Sequence, residues 1–430
     1  MGKVKTSPKF WTALVIFSLV GQIAWVMENM YFNVFIYKMF HADAGDISDM
    51  VMASAVAATV TTLLIGALSD KVGKRKLFIC GGYILWGISI LSFSLINVDV
   101  ISRFVPVTQA ASVGISLVIV MDCVMTFFGS SANDAAFNAW LTDSTDETNR
   151  GAAEGINAMM PLMAILVVFG GFMGLNQDLP QTWTVIFLVI GGVVCLLGVL
   201  GFFLIQEPQV HRTGNENYFK NIFYGFRPRV IRENPALYLA LLAYAVFGIS
   251  IQIFMPYLIL YYEYSLGMKD YVLIFAPAII VAAAFTAVYG RVYDRKGFKI
   301  SVMPVMALLM AGYVVLYFTR HTVPVFIGSL MMMCGYLAGM AVFGAILRDK
   351  TPAGKAGMFQ GQRIVGQVLI PGIIGPAIGK AVLKNAELTV NADGTTSFIP
   401  NKNIFLAAFV AAVFIWVAML PLFRSLKKQK

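Results

Sequence analysis

Two carboxylic acids lie inside long apolar stretches of this sequence, where an ionisable side chain usually has a function. Glu28 lies in the first such stretch and Asp122 in the fourth. A charged side chain at the bilayer centre costs about 2.5–3.5 kcal/mol on insertion scales, so each acid is a candidate for ion or substrate binding. Removal from water disfavours an ionised carboxylate, so a buried acid can exchange a proton. We predict that Asp122 exchanges protons and that Glu28 orients a bound ligand, although the sequence also allows the reverse.

Other polar side chains share helical faces with these acids when residues are placed about 100° apart. The first stretch carries one polar arc of about 140°, consisting of Gln22, Trp25, Glu28, Asn29 and Asn33. The fourth carries a stripe of Asp122, Thr126, Gly129 and Asn133, with Asp134 about a third of a turn away. Each stripe is a candidate binding surface, and each could instead be a polar contact between helices.

Two further stripes occur in the second half of the chain. Gln252, Pro256 and Glu263 share one face, flanked by Tyr244 and Tyr257, and Arg363 shares another with Gln360 and Gln367. Amides, aromatic rings and carboxylates with a single buried arginine suit a neutral polyhydroxylated ligand, because hydroxyls bond to amides and carboxylates while sugar C–H faces stack on rings. We therefore favour a sugar as the substrate.

The elements that position these residues are predicted to be membrane-spanning helices. Apolar residues make up 59% of the 430 residues, charged residues make up 13%, and mean hydropathy is +0.77. Apolar stretches repeatedly exceed the 18 residues that a bilayer requires. The sequence predicts an all-α protein with twelve spans near 10–38, 50–69, 77–97, 109–140, 152–175, 181–205, 236–263, 270–290, 300–319, 323–347, 357–383 and 403–424.

The distribution of basic residues predicts that both termini are cytoplasmic. With the N-terminus inside, the cytoplasmic segments hold 24 of the 32 Lys and Arg residues and the outside segments hold 7. This asymmetry is typical of membrane proteins. The net charge of +10 therefore reflects topology, with anionic membrane lipid as a partner rather than nucleic acid.

An internal repeat divides the chain into six spans and six spans. GALSDKVGKRK (Gly66–Lys76) follows span two, and GRVYDRKGFK (Gly290–Lys299) follows span eight. RGAAEG (Arg150–Gly155) and AGMFQG (Ala356–Gly361) form a second pair. We predict bundles at 1–205 and 236–430 joined by a cytoplasmic linker at 206–235.

The loop after span two resembles the signature of the major facilitator superfamily. The resemblance implies that the two six-helix bundles enclose a central site lined by spans one, four, seven and ten. It also implies that Asp70 and Asp294 act as gating latches, each facing the start of a helix in the opposite half. Gly66 would allow close helix approach, Gly73 would make the turn, and Lys74 and Arg75 would lie in the headgroup layer.

A second resemblance sharpens the substrate prediction. ANDAAFNAWLTDSTDETNRGAAEG (Ala132–Gly155) is similar to the same segment of the glycoside–pentoside–hexuronide and sucrose-type sugar:cation symporters. These carry an Asn-rich end of span four, a terminal aspartate, here Asp143, and a basic residue opening span five, here Arg150. The alternative is a proton-coupled drug or metabolite efflux antiporter. PGIIGPAIG (Pro371–Gly379) looks like a motif of that group, but we interpret it as a flexible or close-packed helix segment, with a packing role.

The sequence gives no indication of an enzyme. The three histidines fall in predicted loops, and we find no metal spacing, nucleotide loop or catalytic nucleophile motif. We expect no cofactor, a small-molecule substrate, a proton or Na⁺ as coupling ion, and a monomer. Short loops without a glycosylation sequon favour a bacterial inner membrane. The segment Glu387–Pro400 is predicted to form a β-hairpin outside the membrane, turning at Ala392–Gly394.

The topology can be tested with reporter fusions. A cytoplasm-active reporter fused after residue 220 should be active and one after residue 395 silent, because the positive-inside bias orients each loop. A periplasm-active reporter should give the reverse pattern. An outside location for 220 or an inside location for 395 would refute the twelve-span arrangement.

Overall fold

The computed structural model of the protein describes residues 7–145, 149–207, 223–352, 359–391 and 394–428. These residues are mostly helical, and eleven helices among them are long and apolar enough to cross a membrane. We label the spanning segments α1 to α12 in chain order. They are Pro8–Phe40, Ala44–Val72, Arg75–Leu95, Val107–Asp143, Arg150–Phe172, Pro180–Leu204, Pro235–Ser265, 272–296, 298–318, Thr322–Lys350, Gly361–Leu383 and Asn403–Lys428.

Segments α8 and α9 are the two parts of one unusually long helix, Val272–Phe318. Its 47 residues would extend about 70 Å at 1.5 Å per residue, more than twice the thickness of a hydrocarbon core. Gly297 interrupts the helix with φ 74° and ψ 177°. The interruption leaves one segment of spanning length on each side, which accounts for the eighth and ninth of the predicted spans.

A glycine of positive φ also occurs at the repeated position in the first half. Gly73 ends α2 with φ 67° and ψ 24°, whereas Gly297, at the matching place of the second copy, has ψ 177°. Positive φ is favourable for glycine because it has no Cβ. The repeat seen in the sequence thus places a positive-φ glycine at both positions, although the two backbone conformations differ.

The described helices belong to two compact units, Met1–Phe219 and Lys220–Lys430. In the first unit, α3 and α6 approach closely through glycines. A Cβ on Gly87 would lie 2.5 Å from the backbone nitrogen of Cys195, and one on Gly198 would lie 2.7 Å from that of Ile84. Small residues allow such backbone contact within a membrane, where helices cannot associate by excluding water.

In the second unit, the glycines of PGIIGPAIG bring α11 against α7. A Cβ on Gly375 would lie 2.4 Å from Cβ of Gln252, and one on Gly379 would lie 2.6 Å from the carbonyl oxygen of Ile253. The predicted packing role of this segment is therefore confirmed.

The predicted hairpin between α11 and α12 is confirmed as well. Strand β1, Leu388–Val390, pairs antiparallel with β2, Thr396–Phe398, and Thr389 faces Ser397. Gly394 has φ 83°, while the other turn residues, 392 and 393, lie outside the described residues. Phe398 is buried against the edge of Tyr257 on α7, which fixes the hairpin to its own bundle.

The glycine contact between α3 and α6 gives a stability prediction. Gly87→Ala should lower the free energy of unfolding by about 1–3 kcal/mol, because the new methyl group meets backbone atoms that cannot rotate away. Thermal unfolding of the purified protein measures the change. Gly192→Ala on α6 is the matched control, since a Cβ there meets nothing within 4 Å. Equal melting temperatures for both variants would contradict the packing.

Candidate ion- and substrate-binding site

Four π-helical turns interrupt the spans in the described part of the chain, and each carries polar residues singled out from the sequence. They are Met27–Tyr31 in α1, Ser130–Phe137 in α4, Tyr261–Ser265 in α7 and Val365–Leu369 in α11. Such turns are frequent at functional sites. Each adds a residue to one turn and so rotates the later side chains relative to the earlier ones.

Glu28, in the π-turn of α1, joins three helices of the first unit. Its Oε1 accepts hydrogen bonds from Ser54 Oγ of α2 at 2.5 Å and from Thr126 Oγ1 of α4 at 2.9 Å. The two hydroxyl oxygens are themselves 2.9 Å apart. All three side chains are buried, and Glu28 Oε2 has no hydrogen-bond partner in the structure.

Asp122 lies one turn before Thr126 on α4 and is 1% exposed. Its carboxyl group is close enough to Glu28 for the two to interact electrostatically, and its Oδ1 has no hydrogen-bond donor. Asp134 also interacts with Glu28 and accepts a bond from Ser130 Oγ at 3.0 Å. Within the described ranges, no ion pair involves Glu28 or Asp122.

The remaining polar residue of the α4 stripe makes a contact between helices. Asn133 Nδ2 donates to the Tyr83 hydroxyl of α3 at 2.7 Å, and that hydroxyl donates to the carbonyl oxygen of Phe17 at 2.9 Å. Gly129 in the same stripe allows Trp86 and Trp25 to pack against α4. The stripe therefore combines a carboxyl site at one end with a structural network at the other.

The predicted polar arc of α1 is divided between two environments. Glu28 and Asn33 are buried, Asn29 is exposed, and Gln22 and Trp25 are partly buried. Asn29 Nδ2 bonds to the carbonyl of Trp25, and Asn33 Nδ2 bonds to that of Asn29. The π-turn explains the division, because a uniform helical wheel does not include the rotation that it causes.

In the second unit, polar side chains of three helices face one another. Tyr244 of α7 stacks on Phe343 of α10, with the ring centroids 5.5 Å apart, and interacts electrostatically with Arg363 of α11 and Tyr336 of α10. Gln252 and Gln367 are partly buried, and Tyr257 is buried. The structure thus brings Arg363 to tyrosines within its own bundle.

The motif after α2 contains an ion pair, between a buried arginine and an exposed aspartate, that the sequence did not reveal. Arg75 is 4% exposed, so it does not lie in the headgroup layer as predicted. Its Nε bonds to Asp143 Oδ2 at 3.0 Å, and its guanidinium bonds to Ser69 Oγ at 2.6 Å. Lys74 is exposed, whereas the side chains of Asp70 and Arg150 lie outside the part of the chain that the structure describes.

The second unit has a related contact at the repeated position. Tyr293 donates to Asp349 Oδ2 at 2.6 Å, and these residues match Ser69 and Asp143 at the offsets of the internal repeat. Asp294 is exposed. In the first unit, Ser69 is connected to the end of α4 through Arg75. In the second unit, Tyr293 bonds directly to Asp349 near the end of α10.

Sequence inspection missed Ser54 and Tyr83, which complete the two networks on α4. Ser54 is one of several hydroxyl-bearing residues along α2, and Tyr83 lies in an apolar helix, so sequence context does not distinguish either of them. Among the described residues, no group of three or more His, Cys, Asp or Glu side chains could hold a metal ion.

Comparison with known proteins identifies the class of this fold. The structure resembles those of the nucleoside transporter NupG (TM-score 0.67, 13% identity, 96% of this chain and 98% of that chain) and a D-xylose–proton symporter (0.67, 14%, 94% and 97%). A bacterial homolog of the human lysosomal transporter Spinster is also similar (0.70, 14%, 99% and 99%). At these identities the likeness shows the fold alone.

The family follows from the sequence itself. Residues 10–376 match the model of the Major Facilitator Superfamily, and the chain belongs to that family. A search of curated proteins found no significant match. The family and fold make this multi-pass membrane protein a secondary transporter rather than an enzyme.

The ion pair at the start of α3 gives a second stability prediction. Arg75→Gln should lower the free energy of unfolding by about 2 kcal/mol, because Asp143 and Ser69 both lose a charged hydrogen-bond donor. Thermal unfolding is again the measurement. Lys74→Gln removes an equal charge from the neighbouring exposed position and should have little effect. Equal destabilisation by both variants would show that only net charge matters.

Proposed function

We propose that the protein moves a small polar solute, a sugar or glycoside, across the membrane by alternating access in symport with a proton or Na⁺. The main observation that supports this proposal is the buried pair of acids in the first unit. Glu28 and Asp122 interact inside one bundle, and neither has a basic partner among the residues that the structure describes. Buried carboxylates require compensation, which a coupling cation provides.

The chemistry of the candidate surfaces supports a neutral polar substrate. Gln22, Trp25 and Asn29 on α1 remain at least partly accessible, as do Gln252 and Gln367 in the second unit. Amides bond to hydroxyl groups, and an indole ring stacks on the C–H face of a sugar. An anionic substrate would require more positive charge than Arg363 supplies.

The remaining features of the proposal concern architecture. Bundles 1–205 and 236–430 would alternate access around the site, with the linker 206–235 and both termini in the cytoplasm of a bacterial inner membrane. Residues 208–222 of that linker lie outside the described residues. Asp70 and Asp294, each three residues before a glycine of positive φ, would act as the gating latches.

Ligand-induced thermal stabilisation tests the substrate class. The purified protein would be unfolded thermally with saccharides, nucleosides, amino acids or cationic dyes, each with sodium or potassium chloride. A saccharide should raise the melting temperature, because a ligand at 100 times its Kd stabilises the folded state by about 2.7 kcal/mol. Stabilisation by sodium alone would identify Na⁺ as the coupling ion.

Variants make the test specific for the proposed surface. Trp25→Leu should abolish the saccharide effect by removing the stacking ring. Trp11→Leu, at the N-terminal end of the same helix and outside the segment 22–33, should preserve it. Stabilisation by cationic dyes with none by saccharides would overturn the sugar assignment and favour the efflux antiporter.

A further inference from the structure

We infer that Glu28 is the proton-exchanging member of the buried acid pair, that Asp122 stays neutral beside it, and that Ser54 and Thr126 position the exchanging carboxyl group. This inference rests on the proposed function and reverses the roles predicted from the sequence. It specifies the coupling ion as a proton.

The distribution of hydrogen-bond donors distinguishes the two acids. Two hydroxyl groups from two other helices converge on Glu28 Oε1, and hydrogen bonds of this kind stabilise an ionised carboxylate. Asp122 receives no hydrogen bond from the described residues, and its Oδ1 is buried. An ionised Asp122 would therefore be an uncompensated charge, whereas two hydroxyl donors would stabilise an ionised Glu28.

The surrounding charges oppose ionisation of both acids together. The charged groups that interact with Glu28 are Asp122 and Asp134, both on α4, and no basic group among the described residues does so. Ionising both of two neighbouring carboxyl groups is energetically unfavourable when no cation is present. Asp122 therefore holds its proton while Glu28 gains and loses one.

The three oxygen atoms around Glu28 accommodate both of its states. When Glu28 is protonated, Oε1, Ser54 Oγ and Thr126 Oγ1 each carry one hydrogen. Each oxygen can then donate one hydrogen bond and accept one, so all three contacts among them are hydrogen bonds. When it is ionised, both hydroxyls donate to Oε1 and the contact between Ser54 and Thr126 has no hydrogen.

The size of this cluster favours a proton over a metal ion. Its oxygen atoms are 2.5–2.9 Å apart, which is the separation of hydrogen-bonded oxygens. A metal ion could enter only if the three helices moved apart. On release, the O–H bond of Glu28 breaks, its electron pair stays on the carboxylate, and the proton passes to water.

Ser54 is a positioning residue in this arrangement, because its hydrogen bonds within the described residues are to the carboxyl group and to the other hydroxyl. Its removal should make the ionised form of Glu28 less stable. The serine-to-threonine substitution retains the hydroxyl and should preserve the effect. A purely structural role of Ser54 would change stability without changing the titration of Glu28.

Infrared titration of the purified protein tests the inference without any substrate. The carbonyl band of protonated carboxyl groups would be followed with pH in the wild type, Glu28→Gln, Asp122→Asn and the surface control Asp270→Asn. We expect one titrating buried band that is lost only in Glu28→Gln. In Ser54→Ala its midpoint should rise by about one pH unit, the equivalent of one lost hydrogen bond to a charge, and Ser54→Thr should restore it.

The possible outcomes separate this inference from the proposed function. Loss of the band in Asp122→Asn but not in Glu28→Gln would assign the proton to Asp122, and the absence of any titrating buried band would overturn proton exchange at the pair. Either result leaves the saccharide test unaffected. Conversely, a protein that titrates as expected but binds no saccharide retains its proton site and loses only the sugar assignment.

Discussion

The absence of water from the bilayer core is the constraint on which this structure depends. Every backbone polar group must be satisfied within the protein, so the spans are helical. Side-chain polar groups face the same requirement. Tyr83 meets it by bonding to Asn133 and to the Phe17 carbonyl, which links three helices with one phenol. Arg75 meets it with Ser69 and Asp143. These contacts connect neighbouring helices of the first bundle by hydrogen bonds.

Glu28 and Asp122 depart from that pattern, since neither has a basic partner in the described residues and each has a buried oxygen without a donor. Buried acids of this kind destabilise a fold unless a proton or cation neutralises them. A functional requirement explains their presence better than packing does. The π-turn that contains Glu28 belongs to the same arrangement, because it places the carboxyl group toward Ser54 and Thr126 at a cost in regular helical geometry.

The two units reuse one local design with different chemistry. Gly73 and Gly297 both have positive φ, although their ψ angles of 24° and 177° differ. The aspartates near the ends of α4 and α10 each bind a side chain of the repeated motif segment. The first unit uses an ion pair through Arg75, whereas the second uses a neutral hydrogen bond from Tyr293. The buried acids occur in the first unit and the Arg363–Tyr244 contact in the second. The repeat thus preserves a positive-φ glycine and a bound aspartate while the chemistry of the halves differs.

Much of the fold could be predicted from the sequence, because hydrophobic length, positive charge and the Gly-Asp-Gly repeat are local properties. These specify spanning helices, the turns at Gly73 and Gly297, and the hairpin around Gly394. The sequence also identifies Glu28 and Asp122, since a charge in an apolar stretch is visible without a structure. Tertiary structure alone decided what each acid contacts. Ser54 is 26 residues from Glu28, and Thr126 is 98 residues away, so their meeting depends on helix packing. The π-turns also shift side-chain direction in a way that a regular helical period cannot anticipate, which is why Asn29 is exposed while Asn33 is buried.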